Sequence, residues 1–205
     1  MRKKRERPID KVLVDELRME FYIRKGRGWL AVRSGSMTPL IQPGNRVLMS
    51  PVMAEQICCG DIVVFRRSGS LIVHRVLKKR HTSGGSYFIE KGDNFPSMGR
   101  FSADDVIGKV TMVIGNGKIF NLSSPFSRLI SRLLSMCFYC TSVIIARLRH
   151  SRRRNIRVMG KIILRLSLLY SQILIRICSA VWYLSGLNCR HVNRVQREMT
   201  NMSHF

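Results

Sequence analysis

The sequence predicts a mainly β protein: a small β-barrel or coiled sheet, a short helix before it, and a helical, basic and apolar appendage after it. Three observations carry this. From residue 28 to residue 120, apolar residues come in short runs, and turns built of Gly, Ser, Pro and Asn separate them. Ahead of that region, Val12, Leu13, Leu17 and Phe21 recur at helical spacing. Past Ser124-Pro125 the apolar runs outgrow strand length. The 205 residues allow one domain of ordinary size plus an appendage. The divisions fall at 1–27, 28–122 and 123–205.

Residues 1–8 form a basic arm; Arg2-Lys3-Lys4-Arg5 leads into polar residues, without the apolar core of a secretory signal. Asp10–Tyr22 reads as a helix started by Pro8 and Asp10, too short and too charged to span a bilayer. Seven strands are expected: Gly28–Arg33, Arg46–Met49, Asp61–Phe65, Leu71–Lys78, Ser86–Glu90, Val106–Ile114 and Lys118–Asn121. Ser68-Gly69-Ser70 and Ser83-Gly84-Gly85 supply hairpin turns.

The last third is both apolar and basic. Leu133–Ala146 carries no charge and lies between Arg132 and Arg147, and Arg152, Arg153, Arg154 and Arg157 follow. Ile162–Leu187 is apolar again, and the polar residues Lys161, just before it, and Arg165, Gln172, Arg176 and Ser179 within it fall within about 60° of one another at helical spacing. A narrow basic stripe on an apolar helix fits a membrane interface. No uncharged run reaches the roughly 20 residues of a spanning helix. Packing on the β domain and insertion across the bilayer are the alternatives.

The formal charge is +24. Residues 121–205 hold 14 Lys+Arg against one acid, Glu198. That balance favours an anionic surface, either lipid headgroups or nucleic acid. An anionic membrane surface, met through residues 128–187, is the expected partner, and the expected location is membrane-associated, with cytoplasmic as the alternative. Nucleic acid is disfavoured, because no helix-turn-helix precedes Gly28 and aromatic interleaving is poor. The six cysteines give no zinc spacing and no disulfide framework, and they read as buried or lipid-facing thiols. No metal constellation or phosphate loop is present in the sequence, so no cofactor is expected; Gly115-Asn116-Gly117-Lys118 is a hairpin.

The chemistry centres on Ser34-Gly35-Ser36-Met37-Thr38-Pro39, which follows the apolar run Trp29-Leu30-Ala31-Val32 and precedes the turn Pro43-Gly44. A serine between a strand and a turn can expose its hydroxyl as a nucleophile, provided a base lies beside it. His74 is the candidate base. It shares a strand face with Ile72 and Val76, while Val73, Arg75 and Leu77 take the other. His81, His150, His191 and His204 read as surface residues. A lone strand histidine is more often a satisfied core residue, so its weight rests on the order of motifs.

That order is the serine box, then Gly60-Asp61-Ile62-Val63-Val64-Phe65, His74-Arg75-Val76, Lys91-Gly92-Asp93-Asn94 and Gly108-Lys109-Val110. It resembles the type I signal peptidases, in their archaeal and endoplasmic-reticulum branch, over roughly residues 30–113. In that branch a histidine stands where bacterial enzymes and self-cleaving SOS repressors carry a lysine. The resemblance implies a signal-peptidase-like β fold in a short form that lacks the usual spanning helix before the serine box. It implies a serine endopeptidase that cuts leader or signal peptides after small residues. Ser36 would be the nucleophile and His74 the general base, with Asp93 the first candidate to orient the imidazole. The Ser36 N–H and the Ser34 hydroxyl would form the oxyanion hole. Two departures stand out. Gly44-Asn45 replaces the family's Gly-Asp, and Gly99 occupies the place of a second aspartate. Asp104 and Asp105 are the possible alternative acids. The competing reading is a catalytically inactive barrel that binds nucleic acid or an anionic membrane surface.

Overall fold

The computed structural model describes residues 27–149, apart from Gly84, Pro96, Asn116 and Gly117, together with Ile162, Arg165, Leu166, Leu169, Tyr170, Ile173 and Arg176. The expected N-terminal arm and helix lie outside the described residues, as do Cys178 and Cys189 and most of the tail. The seven described tail residues are helical and exposed.

Eight antiparallel strands form one curled sheet: β1 (Gly28–Ala31), β2 (Arg46–Ser50), β3 (Ile62–Arg67), β4 (Ser70–Thr82), β5 (Gly85–Lys91), β6 (Gly99–Ser102), β7 (Val106–Gly115) and β8 (Lys118–Asn121). Their order is β1-β2-β7-β3-β4-β5-β6, with β8 paired to β7. The β3–β4 hairpin turns at Ser68 and Gly69, whose φ values of 49° and 73° are the two positive angles of a type I′ turn. The strand missed by sequence is β6. Its four residues, Gly-Arg-Phe-Ser, carry too little pattern to announce a strand and become one by pairing with β5. β4 extends four residues beyond the expected end, because β5 pairs with it as far as Thr82.

The strand alternation builds two cores. Met37, Ile41, Val47, Met49, Val64, Val110 and Val113 fill one. Val63, Phe65, Val76, Phe88 and Phe101 fill the other, where the Phe65 and Phe101 rings stack with centroids 4.0 Å apart. Each such buried side chain contributes about 1.5–3 kcal/mol.

A helix follows the sheet, α1 (Pro125–Arg149). It begins eight residues before the uncharged run, because Ser124 caps it: the Ser127 N–H donates to Ser124 Oγ at 3.2 Å. Leu134 and Phe138 pack with Leu77 of β4. Glycine is required beneath the helix: Gly60 has φ +95°, and a Cβ there would lie 2.7 Å from the Arg132 backbone nitrogen. On the other side of α1, Phe126, Leu129, Leu133, Met136 and Ile144 are exposed, as are Cys137 and Cys140. The helix is therefore apolar on two faces. Pro125–Arg147 is long and apolar enough to cross a membrane by length and composition. Cys58 and Cys59 are exposed free thiols rather than buried ones, because they sit in the turn before β3.

Candidate active site

Ser36 lies in a tight turn after β1, where the Thr38 N–H donates to Gly35 O at 3.1 Å and the Ile41 N–H to Met37 O at 3.0 Å. Met37, only 1% exposed, anchors the turn in the core. The next residue back is thereby held at the surface. The Ser36 carbonyl accepts the Asn94 N–H at 2.8 Å, which ties the turn to the loop after β5. The Ser34 and Ser36 hydroxyl oxygens lie 3.3 Å apart.

His74 comes from the middle of β4. Its Nε2 lies 3.1 Å from Ser36 Oγ. Its Nδ1 lies 2.5 Å from Glu90 Oε2. A carboxylate accepts there, so Nδ1 carries the proton and Nε2 presents its lone pair to the serine hydroxyl. Phe65 stands edge-on to the ring at 6.2 Å.

Glu90 is the residue that sequence reasoning missed, and it corrects the expectation for Asp93. Val76 pairs with Glu90 across β4 and β5, so His74 and Glu90 are diagonal neighbours on one face. Glu90 Oε1 accepts from Arg67 Nη2 at 2.9 Å, which leaves both carboxylate oxygens bonded. Burial pushes the Glu90 carboxyl up, but the hydrogen bond and charge of His74, together with those of Arg67, outweigh it and hold the carboxyl below its ordinary value. Gly99 of β6 makes the space: a Cβ there would stand 2.0 Å from Glu90 Oε1.

Asp93 is buried one step away from this chain. It accepts from Arg75 Nε at 2.8 Å and from Arg75 Nη2 at 2.6 Å, and Arg75 points to the opposite face of β4 from His74. The two-pronged guanidinium captures both oxygens of Asp93, so this carboxylate serves Arg75 and not the imidazole. Asp104 and Asp105 also stand apart from His74. They lie in the 3-10 turn Ala103–Asp105 and form a capping box with Ser102, whose N–H donates to Asp105 Oδ2 at 3.2 Å. The structure thus brings together Ser34, Ser36, His74 and Glu90, and leaves Asp93, Asp104 and Asp105 in other contacts. Asn45 fills its turn with Oδ1 accepting the Gln42 N–H at 2.9 Å.

A cleft of about 510 Å³ opens beside the serine and histidine. Leu30, Val32, Leu71, Val73 and Phe95 line it. Among the described residues, no strand pairs with the outer edge of β1, and residues 70–74 of β4 pair only with β3. Two strand edges therefore border the cleft. No cluster of three or more His, Cys, Asp or Glu that could hold a metal occurs among the described residues.

The chain matches the Peptidase S24-like family over residues 6–90, a segment that includes Ser36, His74 and Glu90. It is 38% identical over 68 residues to the signal peptidase complex catalytic subunit SEC11C of Homo sapiens and of Canis lupus familiaris, covering 32% of this chain and 35% of each of those proteins. It is 40% identical over 67 residues to the signal peptidase complex catalytic subunit SEC11 of Scheffersomyces stipitis, covering 32% of this chain and 40% of that protein. The chain thus spans well under half the length of these relatives. The matches bear out the family resemblance read from the motifs.

Proposed function

We propose that this chain is a serine endopeptidase of the signal-peptidase type, in which Ser36 attacks the scissile carbonyl and His74 is the general base. The observation that carries this reading is the line Ser36 Oγ, His74 Nε2, His74 Nδ1, Glu90 Oε2, with steps of 3.1 Å and 2.5 Å. His74 takes the hydroxyl proton as Ser36 attacks, then gives it to the leaving amine. Glu90 holds the tautomer and stabilises the imidazolium. The Ser36 N–H and the Ser34 hydroxyl receive the oxyanion; such a donor is worth roughly 3 kcal/mol. An extended substrate segment adds as a strand between β1 and residues 70–74 of β4, its side chains alternating into the cleft. The relatives are named as signal peptidase catalytic subunits, which favours leader or signal peptides cut after small residues.

The outer stripe of α1 carries the membrane contact in this reading. Its five exposed apolar residues lie within about 80° of one another at helical spacing. Arg128, Arg132 and Arg147 share the helix, and no acid occurs between Asp105 and Glu198. Apolar burial plus attraction to anionic headgroups binds such a helix to a bilayer.

The test is cleavage of an Ala-x-Ala peptide by the purified full chain with anionic vesicles. Wild type should cut, and Ser36→Ala and His74→Ala should each lose nearly all activity. Cleavage that persists in Ser36→Ala would refute the assignment.

A further inference from the structure

The helix α1 reaches the candidate site through the buried side chain of Arg75. Arg75 is fully buried, and its guanidinium divides among three partners. Nη1 donates to Ser131 Oγ of α1 at 2.8 Å and to Gly60 O at 3.2 Å. Nε and Nη2 hold the two oxygens of Asp93.

Asp93 sits in the turn that touches the nucleophile. The Phe95 N–H donates to Gly92 O at 3.0 Å, and the Asn94 N–H donates to Ser36 O at 2.8 Å. Phe95 lines the cleft. The turn lies so close that a Cβ on Gly92 would stand 2.7 Å from Ser36 O and 3.0 Å from His74 Nε2. A small displacement of this turn therefore moves the serine carbonyl, and with it the reach of Oγ to the imidazole.

We propose that Ser131 is a positioning residue for the Ser36–His74 pair: by fixing Arg75, it fixes Asp93 and the 92–95 turn that sets Ser36. This rests on the peptidase reading of the site. The physical reason is directional. A buried guanidinium needs acceptors all round its plane, and Asp93 satisfies one edge only. Ser131 and Gly60 O satisfy the other edge. With Ser131 in place the guanidinium has one arrangement, and Asp93 inherits it. Two further contacts hold the helix in register for this: Lys91 Nζ stands 4.3 Å over the Phe138 ring, and Lys78 Nζ stands 4.9 Å over the Tyr139 ring. A helix with an outward apolar face is thereby bonded through its inward face to the turn beneath the nucleophile.

The experiment compares Ser131→Ala and Ser131→Thr with wild type in the full chain. It reads kcat and KM for the Ala-x-Ala peptide and hydrogen exchange at the Asn94 amide. Ser131→Ala is expected to lower kcat about tenfold, leave KM within about twofold and speed Asn94 exchange, because the defect is misplacement. Ser131→Thr keeps the hydroxyl and should restore both. If Ser131→Ala leaves kcat and Asn94 exchange at wild-type values, or if Ser131→Thr fails to restore them, the positioning role is wrong. A Ser131→Ala chain that is unfolded by circular dichroism also counts against it, since the contact then serves stability. If wild type cuts no peptide, the peptidase reading fails, and Asn94 exchange alone decides whether Ser131 sets the turn.

Discussion

The Nδ1 of His74 lies 2.5 Å from Glu90 Oε2, and Arg67 holds the other oxygen of that carboxylate at 2.9 Å. The imidazole is thus oriented by an acid from the neighbouring strand. Glu90→Gln should keep the fold and lower kcat about 10²–10⁴-fold, because an amide donor at Nδ1 selects the tautomer that points Nε2–H at Ser36. Stability against pH is the second readout. The Glu90 carboxyl is held below its ordinary 4.5. Its contribution is therefore present above that value and lost as pH falls through the lowered folded value. Urea unfolding between neutral and acid pH should show this loss in wild type and not in Glu90→Gln.

Gly99 and Glu90 compete for one space, since a Cβ at 99 would stand 2.0 Å from Glu90 Oε1. Gly99→Ala should push the carboxylate off Nδ1 and reduce kcat at least tenfold. The pair Glu90→Ala with Gly99→Asp should recover part of the activity that Glu90→Ala alone loses, because the new carboxylate enters the vacated volume from the adjacent strand. Peptide cleavage by the three variants decides it. A double variant no better than Glu90→Ala would show that backbone position 99 cannot deliver a carboxylate to the ring.

The Arg75–Asp93 pair is fully buried, so removing one member leaves a charge without compensation. Asp93→Ala should destabilise the chain by about 3–5 kcal/mol. Arg75→Met combined with Asp93→Leu should cost much less, because two apolar groups replace the pair. Urea unfolding measures both. A loss for Asp93→Ala below about 1 kcal/mol would mean that water or another anion reaches Arg75.

Lys91 is buried beside Phe138, and burial pushes its ammonium down from 10.5 to about 8, against the pull of Asp93. The unfolded chain therefore holds more protons between about pH 8 and 10.5, and stability carried by this group rises with pH across that window. Below about pH 8 the penalty is fully present. Lys91→Met should be more stable than wild type by about 1–3 kcal/mol at pH 7, with the difference shrinking toward pH 10. Unfolding of both proteins at several pH values tests the sign. A difference that does not vary with pH would show that Lys91 keeps its charge hydrated.

The sequence by itself announced seven of the sheet's eight strands and the β3–β4 turn, and it singled out Ser36 and His74. Alternation in Leu71–Val76 decides that His74 and Arg75 face opposite ways, because side chains along a strand alternate whatever surrounds them. The motif order brought Ser36 and His74 into one expectation although 38 positions separate them. Tertiary structure alone decided which acid serves the imidazole. That choice depends on register: the irregularity between Val76 and Lys78 sets Val76 opposite Glu90, and a one-residue slip would turn Glu90 to the α1 face. Nothing local in Glu90 or in Asp93 encodes it. The same holds for α1, whose apolar residues announce a helix but not which stripe meets β4. That was fixed by Gly60, which admits the backbone of residues 131 and 132, and by the need of buried Arg75 for an acceptor beyond Asp93.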